Sequence, residues 1–358
     1  MEDKRILFIS YYFPPYNSVG VKRIAYWFDN IHQYNIVPLV FTAIPQEKNR
    51  EDILHVEPKK SKNPLAFLIK DEGVNWIKAL KQQLVNYKEN EFDFILISGG
   101  PFMQMLITKY LKQNFKAKII LDFRDPFYAN PRFNSSFLKD KVKYYFQKQF
   151  LKYADIVITV NEQCKKLISH SSIHLIDNGF DENILLNQAK GYEHKPTDNL
   201  QICATGRVYD DVNIDPFFEI IDSDKRLSFS YIGNQRFAKY ENLYLHCGFL
   251  PYNQAIDFIM KSDLCILFTG GLAFESSTKI FDYLGLNKII LIITEGVPKT
   301  GTLQQITEAY PNVFWAQNEF SAIRLAIDKI SEHEIVMVDT SEFSRAKGLE
   351  KLVKILSL

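Results

Sequence analysis

Two hydrophobic rhythms alternate along the chain. Short runs of β-branched and aromatic residues at Ile6–Ser10, Ile36–Phe41, Phe94–Ser98, Lys118–Asp122 and Asp155–Val160 predict buried parallel strands. Between them, helical patterns cover Val21–Ile31, Asn75–Tyr87, Phe102–Lys112 and Phe137–Tyr153. The alternation restarts near residue 200. Strands are predicted there at Leu200–Ala204, Leu227–Ile232, Leu264–Phe268, Lys288–Ile293 and Val313–Trp315, and helices at Ile214–Ile221, Tyr252–Met260, Lys279–Leu284, Leu303–Glu308 and Ser321–Ile330. Strands alternating with helices call for an α/β fold around mainly parallel sheets. Two such series predict two Rossmann-like halves, joined through Asp177–Asp181 and the polar run Gly191–Asn199.

Ligands of open parallel sheets bind beyond the carboxyl ends of the strands. After the first strand, Tyr12–Arg23 is a loop opening a helix, with Gly20 near the helix start and Lys22 and Arg23 adding positive charge. Free amides there favour an anion and glycine permits close approach, although an ordinary βα turn has the same pattern. The segment is not G-x-G-x-x-G, which disfavours nicotinamide or flavin binding. Further on, Ser98-Gly99-Gly100-Pro101 pairs flexible glycines with a helix start, and Asp122-Phe123-Arg124-Asp125 gathers two carboxylates and a guanidinium at a strand end. The latter is either a site or an ion pair that pins a loop.

In the second half, Thr205-Gly206-Arg207 can bring a guanidinium to a phosphate, and Gly233 follows the next strand. The stretch Glu275–Gly285 is the most informative. Ser276, Ser277 and Thr278 precede a helix start, Lys279 follows, and Asp282 lies one turn on. Free amides and Lys279 can hold a diphosphate, and Asp282 can accept from a ribose diol. A Ser/Thr-capped helix with a surface Lys–Asp pair is the plainer reading.

Composition narrows the class. The 358 residues suit two domains, and 46% hydrophobic with 24% charged residues exclude disordered, collagen-like and disulfide-framework chains. The four cysteines are scattered without a CxxC pair, which suits a reducing compartment and argues against structural zinc. No apolar run reaches the roughly 18 residues of a spanning helix, and Arg5–Ser10 is too short for a signal peptide, so a cytoplasmic protein is expected. Asp222-Ser223-Asp224 falls between a helix and a strand and predicts a polar turn; the histidines have no metal-binding spacing; Cys203 and Cys265 lie in apolar strands and predict core.

The net charge of +1 conceals an asymmetry. Residues 1–178 carry +8 and the remainder −7, and residues 101–153 alone carry +8. One half is thereby suited to a polyanion or an acidic membrane surface. Within it, the helix at 137–153 has Leu138, Val142, Tyr145, Phe146, Phe150 and Tyr153 at positions expected to bury. Lys141, Lys148 and Lys152 form a stripe, with Lys139 and Lys143 beside it. That stripe is either a solvated face or one attracted to anionic headgroups.

Together these pieces resemble glycosyltransferase family 4, in its branch of bacterial cell-surface polysaccharide enzymes. The resemblance spans nearly the whole chain. It rests on Ile6–Pro15 with Gly20, Asp71 with Trp76, Ser98–Pro101, Asp122–Phe127 (the sharpest match), Ala154–Val160, Asp177–Asp181 and Thr278–Leu284, in that order. It implies a GT-B fold, two Rossmann-like domains facing across a cleft. Residues 1–178 would form the acceptor-side domain and 179–340 the nucleotide-sugar domain. A C-terminal helix, 341–358, with Leu349, Leu352, Val353 and Leu356 on its apolar face, would cross back to the first domain.

The resemblance further implies a retaining hexosyl or N-acetylhexosaminyl transfer. A UDP- or GDP-sugar would be the donor and a glycan or polyprenyl-diphosphate-linked sugar the acceptor, with no cofactor and no obligatory metal. The enzyme would work at the inner membrane face in contact with anionic lipid, and no nucleic acid is involved. Catalytic roles fall to Arg124, Asp125, Arg207 and Lys279. Donor-binding roles fall to Gly20, Gly206, Gly233, Glu275, Ser276, Ser277, Thr278 and Asp282, with Asp282 in place of the family's usual Glu. Two departures stand out. Val212 and Asn213 occupy the place of a lysine about five residues after the Gly–Arg pair, and the family's paired acid falls on Phe274, beside Glu275. They leave open a non-catalytic GT-B partner, and the fold also leaves open a UDP-sugar epimerase.

Overall fold

A computed structural model of the chain describes residues 3–47, 50–59, 69–130, 137–189 and 199–357. Most of the polar run expected at the junction, 191–198, lies outside the described residues. The chain divides into two compact units, Met1–Asn178 with Gly348–Leu358, and Gly179–Lys347.

The first unit holds a parallel sheet of β1 (Lys4–Ile9), β2 (Ile36–Thr42), β3 (Ile53–His55), β4 (Phe94–Ser98), β5 (Lys118–Phe123), β6 (Ile156–Thr159) and β7 (Ile173–Leu175), in the order β3-β2-β1-β4-β5-β6-β7. Trp76, Ala79 and Leu80 recur at helical spacing on Gly73–Leu84. They pack with Leu7, Ile9, Ile95 and Ile97 of the sheet in one core.

In the second unit, β8 (Leu200–Thr205), β9 (Leu227–Ile232), β10 (Leu245–His246), β11 (Leu264–Thr269), β12 (Ile289–Thr294) and β13 (Val313–Gln317) run parallel in the order β10-β9-β8-β11-β12-β13. β12 shows why its sequence is an unbroken apolar run. Leu291 and Ile293 belong to one hydrophobic cluster, Ile290 and Ile292 to another, so helices cover both faces of the sheet.

Each sheet is built outward from its first strand, then restarts on that strand's other side. The strand order therefore reverses between β1 and β4, and again between β8 and β11. Loops diverge at such points and leave room for a ligand beyond the strand ends.

Three expectations change. The short strands β3, β7 and β10 have two or three residues each, too few for a periodic signal. On the helix Phe137–Leu151, Leu138 and Tyr145 are exposed rather than buried, because its buried residues (Phe146, Gln147, Phe150, Leu151) cluster in the second half and leave the first turns unpacked. Residues 341–347, expected with the first domain, group with the second. Phe343 packs its ring on Phe281 and Tyr310, Phe180 bridges to Ser344, and Arg345 pairs with Asp181 at 3.4 Å.

Candidate functional site

In the first unit the reversal point collects Gly20, Gly99, Gly100 and Arg124. Gly20 lies in the first turn of the helix Val19–Asn30. A methyl group on it would lie 3.0 Å from Arg124 Cζ and 3.1 Å from Nη2, so glycine is what lets this guanidinium rest on the helix start. Arg124, at the end of β5, donates through Nη2 to the Gly99 carbonyl. Its Nε and Nη1 are buried and have no hydrogen-bond partner among the described residues. Buried guanidinium donors are costly to leave unpaired, and they are suited to an incoming anion. Asp125, the other residue expected here, is exposed.

Arg23 corrects the expectation that it adds charge to the loop. It is 4% exposed, pairs through Nη2 with buried Asp122 and donates through Nη1 to the Ile176 carbonyl at 2.7 Å. Burial pulls its guanidinium affinity for protons down, with Asp122 opposing that shift. Asp122 also accepts from Ser98 Oγ at 3.1 Å. The ion pair made by the segment Asp122–Asp125 is therefore that of Asp122 with Arg23, while Arg124 bonds the Gly99 carbonyl.

In the second unit the reversal point collects Gly206, Gly233 and Lys279. Gly206 follows β8 with φ +77°, a conformation that favours glycine. A methyl group on it would lie 2.7 Å from Lys279 Nζ, and one on Gly233 would lie 2.6 Å from the Gly206 carbonyl oxygen. The position of Lys279 has a local cause. It opens the helix Lys279–Gly285, and Tyr283 of that helix takes its hydroxyl to the end of β8, where it accepts from Thr205 N at 3.1 Å. Tyr231 completes the frame by donating to the Gly206 carbonyl.

Arg207, next to Gly206, is exposed and lies 3.7 Å from Asp210. Ser276, Ser277 and Thr278 are half-buried in the loop before the helix, and Thr278 makes no side-chain cap bond. Glu275 is buried, and its Oε2 accepts from Thr269 Oγ1 and Leu272 N, which braces the loop after β11. Asp282 accepts from the phenol of Tyr252, whose proton is held tightly by burial and then by Asp282 itself.

Sequence reasoning missed Tyr283, Tyr231 and Tyr252, whose hydroxyls act only once the fold joins distant segments. It also missed the acids around the place of the absent lysine. Asp211 Oδ2 would lie 2.6 Å from a methyl on Gly270, and Glu295 accepts from Asn213 N at 2.6 Å. Among the described residues, no group of three or more His, Cys, Asp or Glu is arranged to hold a metal ion.

No protein family and no curated protein matches the sequence. Solved structures match over nearly its whole length. The lipopolysaccharide outer core galactosyltransferase WaaB, in its apo form, is 13% identical and covers 99% of each chain with a TM-score of 0.61. The catalytic domain of starch synthase IV from Arabidopsis thaliana, bound to ADP and acarbose, is 12% identical over 99% of each chain with a TM-score of 0.63. The fold is GT-B. A UDP-GlcNAc 2-epimerase from Neisseria meningitidis, bound to UDP-GlcNAc, shares it at 12% identity over 99% of each chain, TM-score 0.60. Transferases and epimerases thus use the same GT-B scaffold, and function has to be argued from the site.

Proposed function

We propose that this chain is a retaining glycosyltransferase resembling family 4 that transfers a hexosyl or N-acetylhexosaminyl group from a UDP- or GDP-sugar in surface polysaccharide synthesis. The observation that carries the reading is the seat of Lys279 against Gly206, at the reversal point of the second sheet and next to Arg207. A diphosphate leaving group gains negative charge as its bond to the sugar breaks. Cations already in place stabilise that charge without reorganisation, and losing one such group typically costs about 10²–10³ in rate.

In this reading Gly206, Gly233 and Ser276–Thr278 let the diphosphate approach the backbone, and Asp282 takes the ribose. The site needs no metal, because Lys279 and Arg207 supply the charge. Gly20, in the first unit, serves the donor's reacting phosphate, and Arg124 and Asp125 serve the acceptor side, for a glycan or a polyprenyl-diphosphate-linked sugar. The basic helix Phe137–Leu151 holds the enzyme at an anionic membrane surface.

The test is a thermal-stabilisation screen with UDP, GDP and their sugars, since a ligand that binds the native state raises apparent stability by mass action. We expect stabilisation by one nucleotide family, reduced at least tenfold in apparent affinity by Lys279→Ala and by Arg207→Ala. Unaltered binding in both variants would remove the donor site. The epimerase neighbour supports a second reading, conversion of a UDP-sugar without an acceptor. Incubation of the enzyme with donor alone separates the two, because only an epimerase yields a new UDP-sugar there.

A further inference from the structure

The loop between β1 and the helix Val19–Asn30 carries a second feature, apart from the contact of Gly20 with Arg124. Tyr12 and Tyr16 stack with ring centroids 4.6 Å apart and planes 21° apart, and Tyr16 is 45% exposed. The Tyr12 hydroxyl donates to Oε2 of exposed Glu72 at 3.0 Å. We propose that Tyr12, Tyr16 and Glu72 form a subsite for a pyranose ring of the acceptor.

The chemistry fits a sugar better than another small ligand. A pyranose has a face of C–H bonds and a rim of hydroxyls. An open tyrosine face buries the first, and a carboxylate accepts two hydrogen bonds from neighbouring hydroxyls of the second. The platform is also built in advance. Tyr16 N donates to the Phe13 carbonyl at 3.0 Å, Gln46 Nε2 to the Pro14 carbonyl at 2.9 Å, and Ser10 Oγ to the Tyr12 carbonyl at 2.9 Å. Tyr11 packs edge-on against Tyr12 and against fully buried Trp76. Asp71, next to Glu72, accepts from the backbone amides of Gly73, Phe102 and Met103, which ties this corner to the loop after β4. The subsite therefore sits on rigid supports, and ordering it on binding costs little.

This inference rests on the transferase reading, because a glycan acceptor is what gives such a platform a purpose. The probe is a set of methyl pyranosides (glucoside, galactoside, mannoside, rhamnoside and N-acetylglucosaminide) observed by saturation-transfer NMR with the full chain, with UDP and GDP measured alongside. At least one pyranoside should bind. Tyr16→Ala and Glu72→Gln should each weaken it about five- to tenfold, the scale of one aromatic or charged contact. Tyr16→Phe should retain it, and Lys279→Ala should leave it unchanged. Absence of any pyranoside signal, or binding by Tyr16→Ala and Glu72→Gln as tight as by the unsubstituted chain, overturns the subsite. Nucleotide binding without pyranoside binding sinks the subsite and spares the transferase reading. Pyranoside binding without nucleotide binding does the reverse.

Discussion

Two glycines hold the candidate cations for opposite reasons, and alanine separates them. Gly20 sits in a helix, where alanine is favoured by about 1 kcal/mol. The atoms nearest its added methyl are those of the Arg124 guanidinium, the far end of a long side chain rather than backbone. Gly20→Ala should leave stability within about 1 kcal/mol while displacing Arg124 and lowering transfer at least tenfold. Gly206→Ala meets both a left-handed φ of +77° and Lys279. It should lower the melting temperature, at a cost of about 1–3 kcal/mol, and weaken nucleotide binding. Melting curves and a transfer assay on both proteins check the contrast; equal loss of stability in the two would contradict it. Residues of this kind were partly legible. Gly206 is marked in the sequence by its place after a strand, and Lys279 by its place at a helix start behind small hydroxyl residues. The seat of Lys279 is not, because it depends on the hydroxyl of Tyr283 meeting Thr205, far away in sequence. The burial of Arg23 is not legible either, because charge pattern alone does not show that the helix turns it inward onto Asp122.

At the scale of elements, legibility followed burial. β12, covered on both faces, was plain as an apolar run, whereas edge pieces such as β10 have two residues and no period. The sequence predicts a polar turn after the helix Asp215–Ser223, and the structure adds one partner nearby and one distant in sequence. Asp224 is 8% exposed and pairs with Arg226 at 2.7 Å and with Arg324, from the helix Phe320–Ser331, at 2.9 Å. The guanidinium of Arg226 first, then the Arg226 amide and Arg324, hold its carboxyl well below the usual range. The folded-state pKa lies below the unfolded value of about 3.9. The stabilisation is therefore present above that pH and lost as pH falls through the acid range. Asp224→Asn should lower the melting temperature by a few degrees at neutral pH, about 1 kcal/mol with allowance for solvent screening. The gap between variant and parent should narrow as pH drops below about 4. A gap that stays constant from pH 7 to pH 3 would show that Asp224 acts through packing alone.

For the whole molecule, a net charge of +1 predicts almost no attraction to an anionic surface, yet the charge is divided, with +8 in residues 1–178 and −7 in the rest. What matters is where the positive half also exposes apolar groups. On the helix Phe137–Leu151, Phe137 is 76% exposed and Leu138 67%, with Tyr144 and Tyr145 also open. Lys141 lies over the Phe137 ring at 4.3 Å and Lys148 over Tyr144 at 4.5 Å. Side chains that a folded core leaves bare, interleaved with lysines, suit the interface of an anionic bilayer, where each lysine contributes about 1 kcal/mol and apolar groups sink below the headgroups. Among the described residues no helix is long and apolar enough to cross a membrane. The chain should therefore sediment with vesicles of phosphatidylcholine and phosphatidylglycerol at low salt and be released as the screening length falls below about 8 Å, near physiological ionic strength. It should not bind phosphatidylcholine alone. Phe137→Ser with Leu138→Ser should weaken binding without changing its salt dependence, and Lys141→Glu with Lys148→Glu should abolish it. Binding that is indifferent to all four substitutions would return this helix to the role of a solvated face.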